Sequence, residues 1–296
     1  MVNIIFLGTS CMQPTKARNH SGFLLSYKDE NILFDCGEGI QRQMRVAGIK
    51  PAKVTRLLIS HWHGDHVFGI AGLMSALGAD QFAKKLHIYG PKGTKKYLKH
   101  LFQSFAVKGV IDYEVKEVSS GVFFENEDFQ LEARPLKHSA LCVGYSFIEK
   151  DRFRIKTELT AKLGLVGPIL GKLQQGQDVI VAGKKIRAKA VTYVIKGKKI
   201  SYIADTMLCE GANQLAKDAD LLISEGTHLS EIEQKSEKYM HLTVKEAALI
   251  ASRNNAAKLV ITHISPRYKS IAEITEEARM YFDNSIIAED FMKFNV

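Results

Sequence analysis

The chain has 296 residues, 46% hydrophobic and 25% charged, enough to bury a sizeable core and incompatible with a disordered or fibrous protein. Its 41 Lys and Arg against 32 Asp and Glu leave a net charge of +9. No apolar run approaches the ~18 residues of a membrane helix, and Ile4–Leu7 is too short and lacks the basic flank of an export signal. A cytoplasmic protein with no membrane partner is therefore expected.

In chain order, Val2–Leu7, Gly22–Leu25 and Asn31–Phe34 read as strands, with Asp35-Cys36-Gly37 as a turn. Leu57–Ser60 reads as a buried strand and Val67–Leu77 as one helix rich in Ala, Gly and Leu. Leu86–Tyr89 is a further strand, and Thr94–Phe105 is helical with Lys95, Lys96 and Lys99 on its wet side. Tyr113–Val118, Gly121–Phe124 and Phe129–Ala133 suggest a meander stopped at Pro135. After a basic segment come strands at Ala190–Ile195, Lys199–Ala204, Leu221–Ser224 and Lys258–Thr262, then a short terminal strand. Helices are expected near Thr243–Arg253 and Ile271–Phe282. Strands alternating with helices imply a layered α/β protein.

Charge is unevenly spread. Residues 151–199 hold 12 basic residues against Asp151, Glu158 and Asp178, and residues 81–111 hold seven lysines and no acid. The remainder is −7. Such patches are either solvated surface or seats for a polyanion, and composition weighs the two equally. The cysteines, Cys11, Cys36, Cys142 and Cys209, form no C-x-x-C pair and read as free thiols, which disfavours a cysteine-built zinc cage.

The informative segment is Ser60-His61-Trp62-His63-Gly64-Asp65-His66. His61 and His63 differ by two, so extended backbone points both imidazoles to one side. Gly64 permits a sharp turn that leaves Asp65 and His66 at the mouth of the next helix. Imidazole plus carboxylate suits a borderline divalent ion such as zinc. A hydrogen-bonded polar turn is the plainer reading, but it would leave many buried donors and acceptors seeking partners. The turn divides the four groups, so two ions are expected, each completed from elsewhere. His138 after Phe129–Ala133, Asp205 after Lys199–Ala204 and His263 after Lys258–Thr262 stand where open α/β sheets place their sites, and Asp205 could bridge.

The His-x-His-x-Asp-His run after a buried strand resembles the signature of the metallo-β-lactamase superfamily. The surroundings resemble one branch, the ribonuclease Z family of endonucleases that trim the 3′ end of precursor tRNA. Phe6-Leu7-Gly8-Thr9-Ser10 with Pro14-Thr15-Lys16 and Arg18-Asn19 is similar to that family's opening. Phe34-Asp35-Cys36-Gly37-Glu38-Gly39, Pro135 to Tyr145, and His263-Ile264-Ser265-Pro266-Arg267-Tyr268 are similar to later stretches. Leu163 to Leu173, with Gly167, Pro168 and Lys172, resembles a protruding substrate arm.

The resemblance implies a single metallo-β-lactamase-like αββα sandwich over residues 1–296, with a flexible tRNA-binding arm inserted at about 151–189. It implies that His61, His63 and His138 hold one Zn²⁺, that Asp65, His66 and His263 hold another, and that Asp205 bridges, with Mn²⁺ or Fe²⁺ as alternatives. Asp65 would accept a proton from the attacking water, and His241 with Glu225 would supply the leaving-group proton. It further implies precursor tRNA as substrate and a homodimer. Three departures stand out: Met207-Leu208 after Asp205-Thr206, Gly226 after Glu225, and Ile40 in place of a usual Thr.

Several residues carry open readings. Arg267 is a phosphate contact or a buried ion pair, and Lys16 a substrate contact. Trp62 should point opposite to His61 and His63 and pack behind them. Phe102 and Phe105 form one face of their helix, and Lys84, Lys85, Lys92, Lys95, Lys96 and Lys99 face RNA or solvent. The alternative activity is another dinuclear metallohydrolase of this fold, a small phosphodiesterase or a thioesterase.

Overall fold

The computed structural model describes residues 1–104 and 111–296. The first half of the chain lays down β1 (Asn3–Gly8), β2 (Gly22–Tyr27), β3 (Glu30–Phe34), β4 (Arg56–Leu58), β5 (Leu86–Gly90) and β6 (Tyr113–Glu117). Between them run α1 (Ile40–Val46), α2 (Gly64–Val67), α3 (Ile70–Ala79) and α4 (Thr94–Gln103). The second half begins with β7 (Gly121–Glu125), β8 (Phe129–Leu136) and β9 (Cys142–Glu149). It then departs into β10 (Arg152–Ile155), α5 (Thr157–Lys162), α6 (Pro168–Gln174), β11 (Val179–Val181), β12 (Lys184–Ile186), α7 (Ala188–Val191) and β13 (Thr192–Ile195). It resumes with β14 (Lys199–Ile203), α8 (Glu210–Ala216), β15 (Leu221–Glu225), α9 (Glu233–Tyr239), α10 (Val244–Arg253) and β16 (Leu259–Thr262). The chain closes with α11 (Ala272–Tyr281), β17 (Ser285–Ile287) and β18 (Lys293–Asn295).

Two seven-stranded sheets result, ordered β18-β1-β2-β3-β4-β5-β6 and β17-β16-β15-β14-β9-β8-β7. Their central strands, such as β4, β15 and β16, are buried on both faces, which explains the continuous apolar runs there. In β2, Phe23, Leu25 and Tyr27 enter the core between the sheets, while Leu24 joins the layer under the first half's helices. In β15, Leu221 and Ile223 face inward and Leu222 faces the layer under α8, α10 and α11. The architecture is the four-layered αββα sandwich.

Several elements differ from the sequence expectation. β6 is not part of a meander: it pairs parallel with β5 at the edge of the first sheet, and β7 starts the second. Pro135 does not stop β8, because β7 begins opposite Ala133, at Gly121, and leaves the edge of β8 beyond it open. The expected single helix from Val67 is split into α2 and α3. There the Cys36 amide bonds the His66 carbonyl at 2.8 Å and the Gly69 amide bonds the Cys36 carbonyl at 2.9 Å, so a loop interrupts the helical ladder. A Cβ on Gly69 would lie 2.0 Å from the Gly37 carbonyl oxygen. Ala190 and Val191 are helical, and β13 pairs with β10 rather than with either large sheet. The expected helix residue Phe105 lies outside the described residues.

The segment from β10 to β13 carries its own small core of Leu165, Leu173, Val179, Ala188 and Val191. No helix among the described residues is long and apolar enough to cross a membrane.

Candidate metal centre and active site

The ligand-type residues leave the strands at one rim of the sandwich. His61 and His63 follow β4, and His63 caps α2, which carries Asp65 and His66 in its first turn. His138 follows β8, Asp205 follows β14, and His263 follows β16 in a left-handed conformation at φ 60°. Such a backbone is uncommon for a residue with a side chain and is found where the surroundings impose it. Gly64 has no positive φ; its Cβ would instead overlap the Phe68 ring, at 2.2 Å.

Among the described residues, donor atoms converge in three overlapping groups, one of them Asp205, His241 and His263. Those of His61, His63, His138 and Asp205 lie within 4.8 Å of one another, as do those of Asp65, His66 and His263. Asp205 faces both. Its Oδ2 is 3.6 Å from His61 Nε2 and 3.8 Å from His138 Nε2, while its Oδ1 is 3.5 Å from His66 Nε2 and 3.4 Å from His263 Nε2.

The far sides of the rings fix which nitrogen points inward. His66 Nδ1 donates to Asp35 Oδ2 at 2.8 Å, His138 Nδ1 to the Met240 carbonyl at 2.9 Å, and His263 Nδ1 to Thr227 Oγ1 at 2.9 Å. His61 Nδ1 donates to Ser60 Oγ at 3.0 Å, and that hydroxyl donates to Asp35 at 2.9 Å. Each Nε2 is left with a lone pair aimed at the centre. Nε2 atoms of His66 and His263 stand only 3.3 Å apart, and His61 Nε2, Asp65 Oδ1 and Asp205 Oδ1 are buried without a hydrogen-bond partner. Bare lone pairs packed this closely repel, and buried orphaned acceptors are costly. The donor set therefore fits metal cations.

The electrostatics show that a proton competes for the same place: burial lowers His66, but Asp205, Asp65 and Asp35 outweigh it and hold its pKa well above the ordinary value. Burial raises Asp205, but His263, His66 and His61 outweigh it and hold the carboxyl well below its usual range. Burial likewise raises Asp65, and His66 and His263 reverse the effect. His61 is pushed down, first by burial and then by His66, which keeps its imidazole neutral and able to ligate.

Beside the cluster, His241 Nδ1 lies 3.2 Å from each Glu225 oxygen and 3.9 Å from Asp205 Oδ2. Burial lowers its pKa, but the Glu225 carboxylate and then Asp205 more than compensate and bring it to about 9. Glu225 is fixed by the Thr206 amide at 2.7 Å and the Thr227 hydroxyl at 2.6 Å. The capping box of Thr243 and Glu246 starts α10 two residues after His241 and so sets the loop that carries it.

His63, Asp65, His138, Asp205, His241 and His263 form part of the wall of a cavity of about 720 Å³. Arg267 is exposed on the same wall, with no carboxylate in ion-pair range among the described residues, so the buried ion pair is not formed. Lys16 lies instead in a neighbouring cavity, which shares Pro266 and Lys269 with the first. Gly167, Pro168 and Lys172 are exposed around the start of α6 and do not line the central cavity. Trp62 points away from the cluster: its Nε1 donates to Thr94 Oγ1 at 2.9 Å and its ring packs on Tyr97. Gly226 sits against Ile261, whose Cγ2 would be 2.6 Å from an added Cβ.

Sequence reasoning missed the supports of these groups. Asp35, fully buried at φ 55°, accepts from the Ser60 amide and hydroxyl, His66 Nδ1 and the Tyr202 hydroxyl. Its place directly after a buried strand was the available signal. Thr227 offered none.

The ribonuclease Z of Methanothermobacter thermautotrophicus is 40% identical to this chain over 100% of it and 97% of its own length. That of Protochlamydia amoebophila is 34% identical over 99% and 96%. The chain belongs to the ribonuclease Z family. The family makes it a metal-dependent endoribonuclease that hydrolyses phosphodiester bonds. Residues 175–264 match the model described as "Beta-lactamase superfamily domain". Residues 2–181 fall within the family described as "Anti-Pycsar protein Apyc1", a match that ends before Asp205, Glu225, His241 and His263, whereas the ribonuclease Z kinship spans them. The crystal structure of human tRNase Z, short form, is 25% identical, with a TM-score of 0.73 and 99% of both chains covered.

Proposed function

We propose that the chain is a zinc-dependent endoribonuclease that removes the 3′ trailer of precursor tRNA, leaving a 3′-hydroxyl on the tRNA. Kinship with ribonuclease Z along the whole chain supports the substrate, as does likeness to human tRNase Z. The observation that carries the chemistry is the division of Asp205, one oxygen toward each trio of ligands. In this reading His61, His63 and His138 would hold one Zn²⁺, Asp65, His66 and His263 would hold the other, and Asp205 would serve both; Mn²⁺ or Fe²⁺ would suit the same donors. Bound ions of this kind lower the pKa of a water and neutralise phosphoryl oxygens.

The chain's own residues move the protons. Asp65 accepts one from the attacking water at Oδ1, the oxygen that lacks a hydrogen-bond partner. As the bond from phosphorus to the tRNA 3′-oxygen breaks, His241 donates from Nε2, since Nδ1 faces Glu225. Glu225 keeps that imidazole charged at neutral pH, and a raised pKa fits a general acid. Arg267 supplies positive charge for a phosphate at the cavity wall. The basic segment at about 151–189, with Gly167, Pro168 and Lys172, grips the tRNA body through phosphates, which positions RNA without reading sequence. Lys16 lies on the path from the neighbouring cavity. A homodimer in the cytoplasm completes the reading.

The test is an end-labelled precursor tRNA carrying a 3′ trailer, incubated with and without chelator. Cleavage at the acceptor-stem boundary, lost on chelation and restored by zinc, is expected. Inert precursor tRNA with rapid hydrolysis of a small phosphodiester or thioester would assign the chain to another dinuclear metallohydrolase activity.

A further inference from the structure

The segment from β10 to β13 has a core of its own, separate from the three cores of the sandwich. Two chain crossings join it to the body, residues 149–152 and 195–198, so the direction in which it leaves depends on what holds those crossings. A buried carboxylate does. Glu149, at the end of β9, is 6% exposed and lies in ion-pair range of Arg152. Its Oε1 accepts from the Tyr27 hydroxyl at 2.9 Å, which ties it to the first sheet, and meets Arg152 Nη2 at 3.0 Å, which ties it to the first residue of β10. Its Oε2 accepts from the Lys198 amide at 3.3 Å, on the returning crossing.

The surroundings repeat the pattern. Asp151 accepts from the Gly197 amide at 3.0 Å and from Lys196 Nζ at 2.6 Å, joining the two crossings directly. The Glu149 amide bonds the Lys198 carbonyl at 2.8 Å. Gly197 passes so close that a Cβ there would lie 1.9 Å from the Glu149 carbonyl oxygen. Both sheets and both crossings thus meet at one side chain.

We infer that Glu149 is a positioning residue for the substrate: it fixes the angle at which the basic arm leaves the sandwich, and so where a long RNA lies when its scissile phosphate reaches the metal cluster. The substrate half of this inference rests on the proposed tRNA-processing reading; the angle itself does not. Desolvating a carboxylate here is stabilised by three convergent donors, and removing it leaves the Tyr27 hydroxyl and Arg152 without their shared acceptor. The junction then becomes a swivel.

Glu149→Ala, Glu149→Gln and Tyr27→Phe test this in the full-length, metal-loaded protein. Spin labels on p-acetylphenylalanine at exposed Val166 and Lys53 report the arm-to-body distance without touching the four thiols. Wild type is expected to give one narrow distance distribution and Glu149→Ala a broad one. KM for precursor tRNA should rise at least tenfold, while kcat on bis(p-nitrophenyl) phosphate stays within twofold. Glu149→Gln and Tyr27→Phe should fall between, and they carry the test if Glu149→Ala does not fold. A broad distribution in wild type, or variants with wild-type distances and wild-type KM, overturns the inference. Wild type that leaves precursor tRNA uncut sinks the tRNA reading instead, and the distance result stands apart from it.

Discussion

Replacing Asp35 by Asn probes the support of the metal cluster without touching a ligand. The carboxylate accepts four hydrogen bonds, from the Ser60 amide at 2.7 Å, the Ser60 hydroxyl at 2.9 Å, His66 Nδ1 at 2.8 Å and the Tyr202 hydroxyl at 2.8 Å. An amide has one acceptor oxygen. If that oxygen stays with His66, Ser60 Oγ and Tyr202, each bond loses its charge assistance, about 1 kcal/mol apiece, and the Ser60 amide faces another donor at a cost of about 1–3 kcal/mol. His66 is oriented by Asp35 directly, and His61 through Ser60. Loss of one outer partner typically lowers metal affinity ~10–100-fold, and with two ligands loosened a loss near ~100-fold is expected. Chelator-competition titration with zinc measures it, and a thermal melt of the metal-free proteins separates general destabilisation. Asp35→Asn that binds metal within threefold of wild type would refute the reasoning.

Three further outcomes are expected. His241→Ala should slow precursor-tRNA cleavage by ~10²–10⁴-fold but an activated nitrophenyl diester much less, since that leaving group hardly needs a proton; equal losses on both remove the acid role. If the protonated imidazole is the donor, then because Glu225 raises its pKa, activity should fall as pH rises past that pKa, and Glu225→Gln should move this alkaline limb to lower pH. Deleting Lys156–Val181 should abolish precursor-tRNA cleavage and spare the small diester, because the segment's apolar core is separate; loss of both would make it part of the body. Gly37→Ala should cost about 1–3 kcal/mol in a denaturant titration and weaken metal binding, because its Cβ would lie 2.3 Å from the Asp65 carbonyl oxygen; an unchanged midpoint contradicts that packing.

The most legible part of the sequence was the chemistry at strand ends. His61 and His63 declare their common side through a spacing of two, and apolar runs before Asp205 and His263 mark them as rim residues. The supports were less legible: Asp35 stood directly after a buried strand, but Ser60, Thr227 and Tyr202 are common residue types whose roles come from meeting distant parts of the chain. Tyr202 reaches Asp35 from the other sheet, a partnership no local pattern encodes. β6 and β7 were misgrouped for a related reason: adjacency in sequence suggested pairing, whereas the chain changes sheets between Glu117 and Gly121. β9 went unread because Cys142–Glu149 is buried at all but one position and shows little alternation. The split between α2 and α3 is made by a loop 30 residues upstream, so the helix's own sequence could not announce it.

The proposed ligands divide by origin: His61, His63, Asp65 and His66 come from the first sheet, and His138, Asp205 and His263 from the second. Any cation held by this set is therefore also a clasp between two halves that otherwise meet through side-chain packing and a few hydrogen bonds, such as Val143 N–H to the Ser60 carbonyl and the Tyr202 hydroxyl to Asp35. A ligand that binds only the closed arrangement adds about 4 kcal/mol at a free concentration of 1,000 times its Kd, a large share of the total for a single domain. Metal supply would then govern how long the molecule stays closed as well as how fast it works, so the metal-free protein should be cut by a protease sooner than the metal-loaded one.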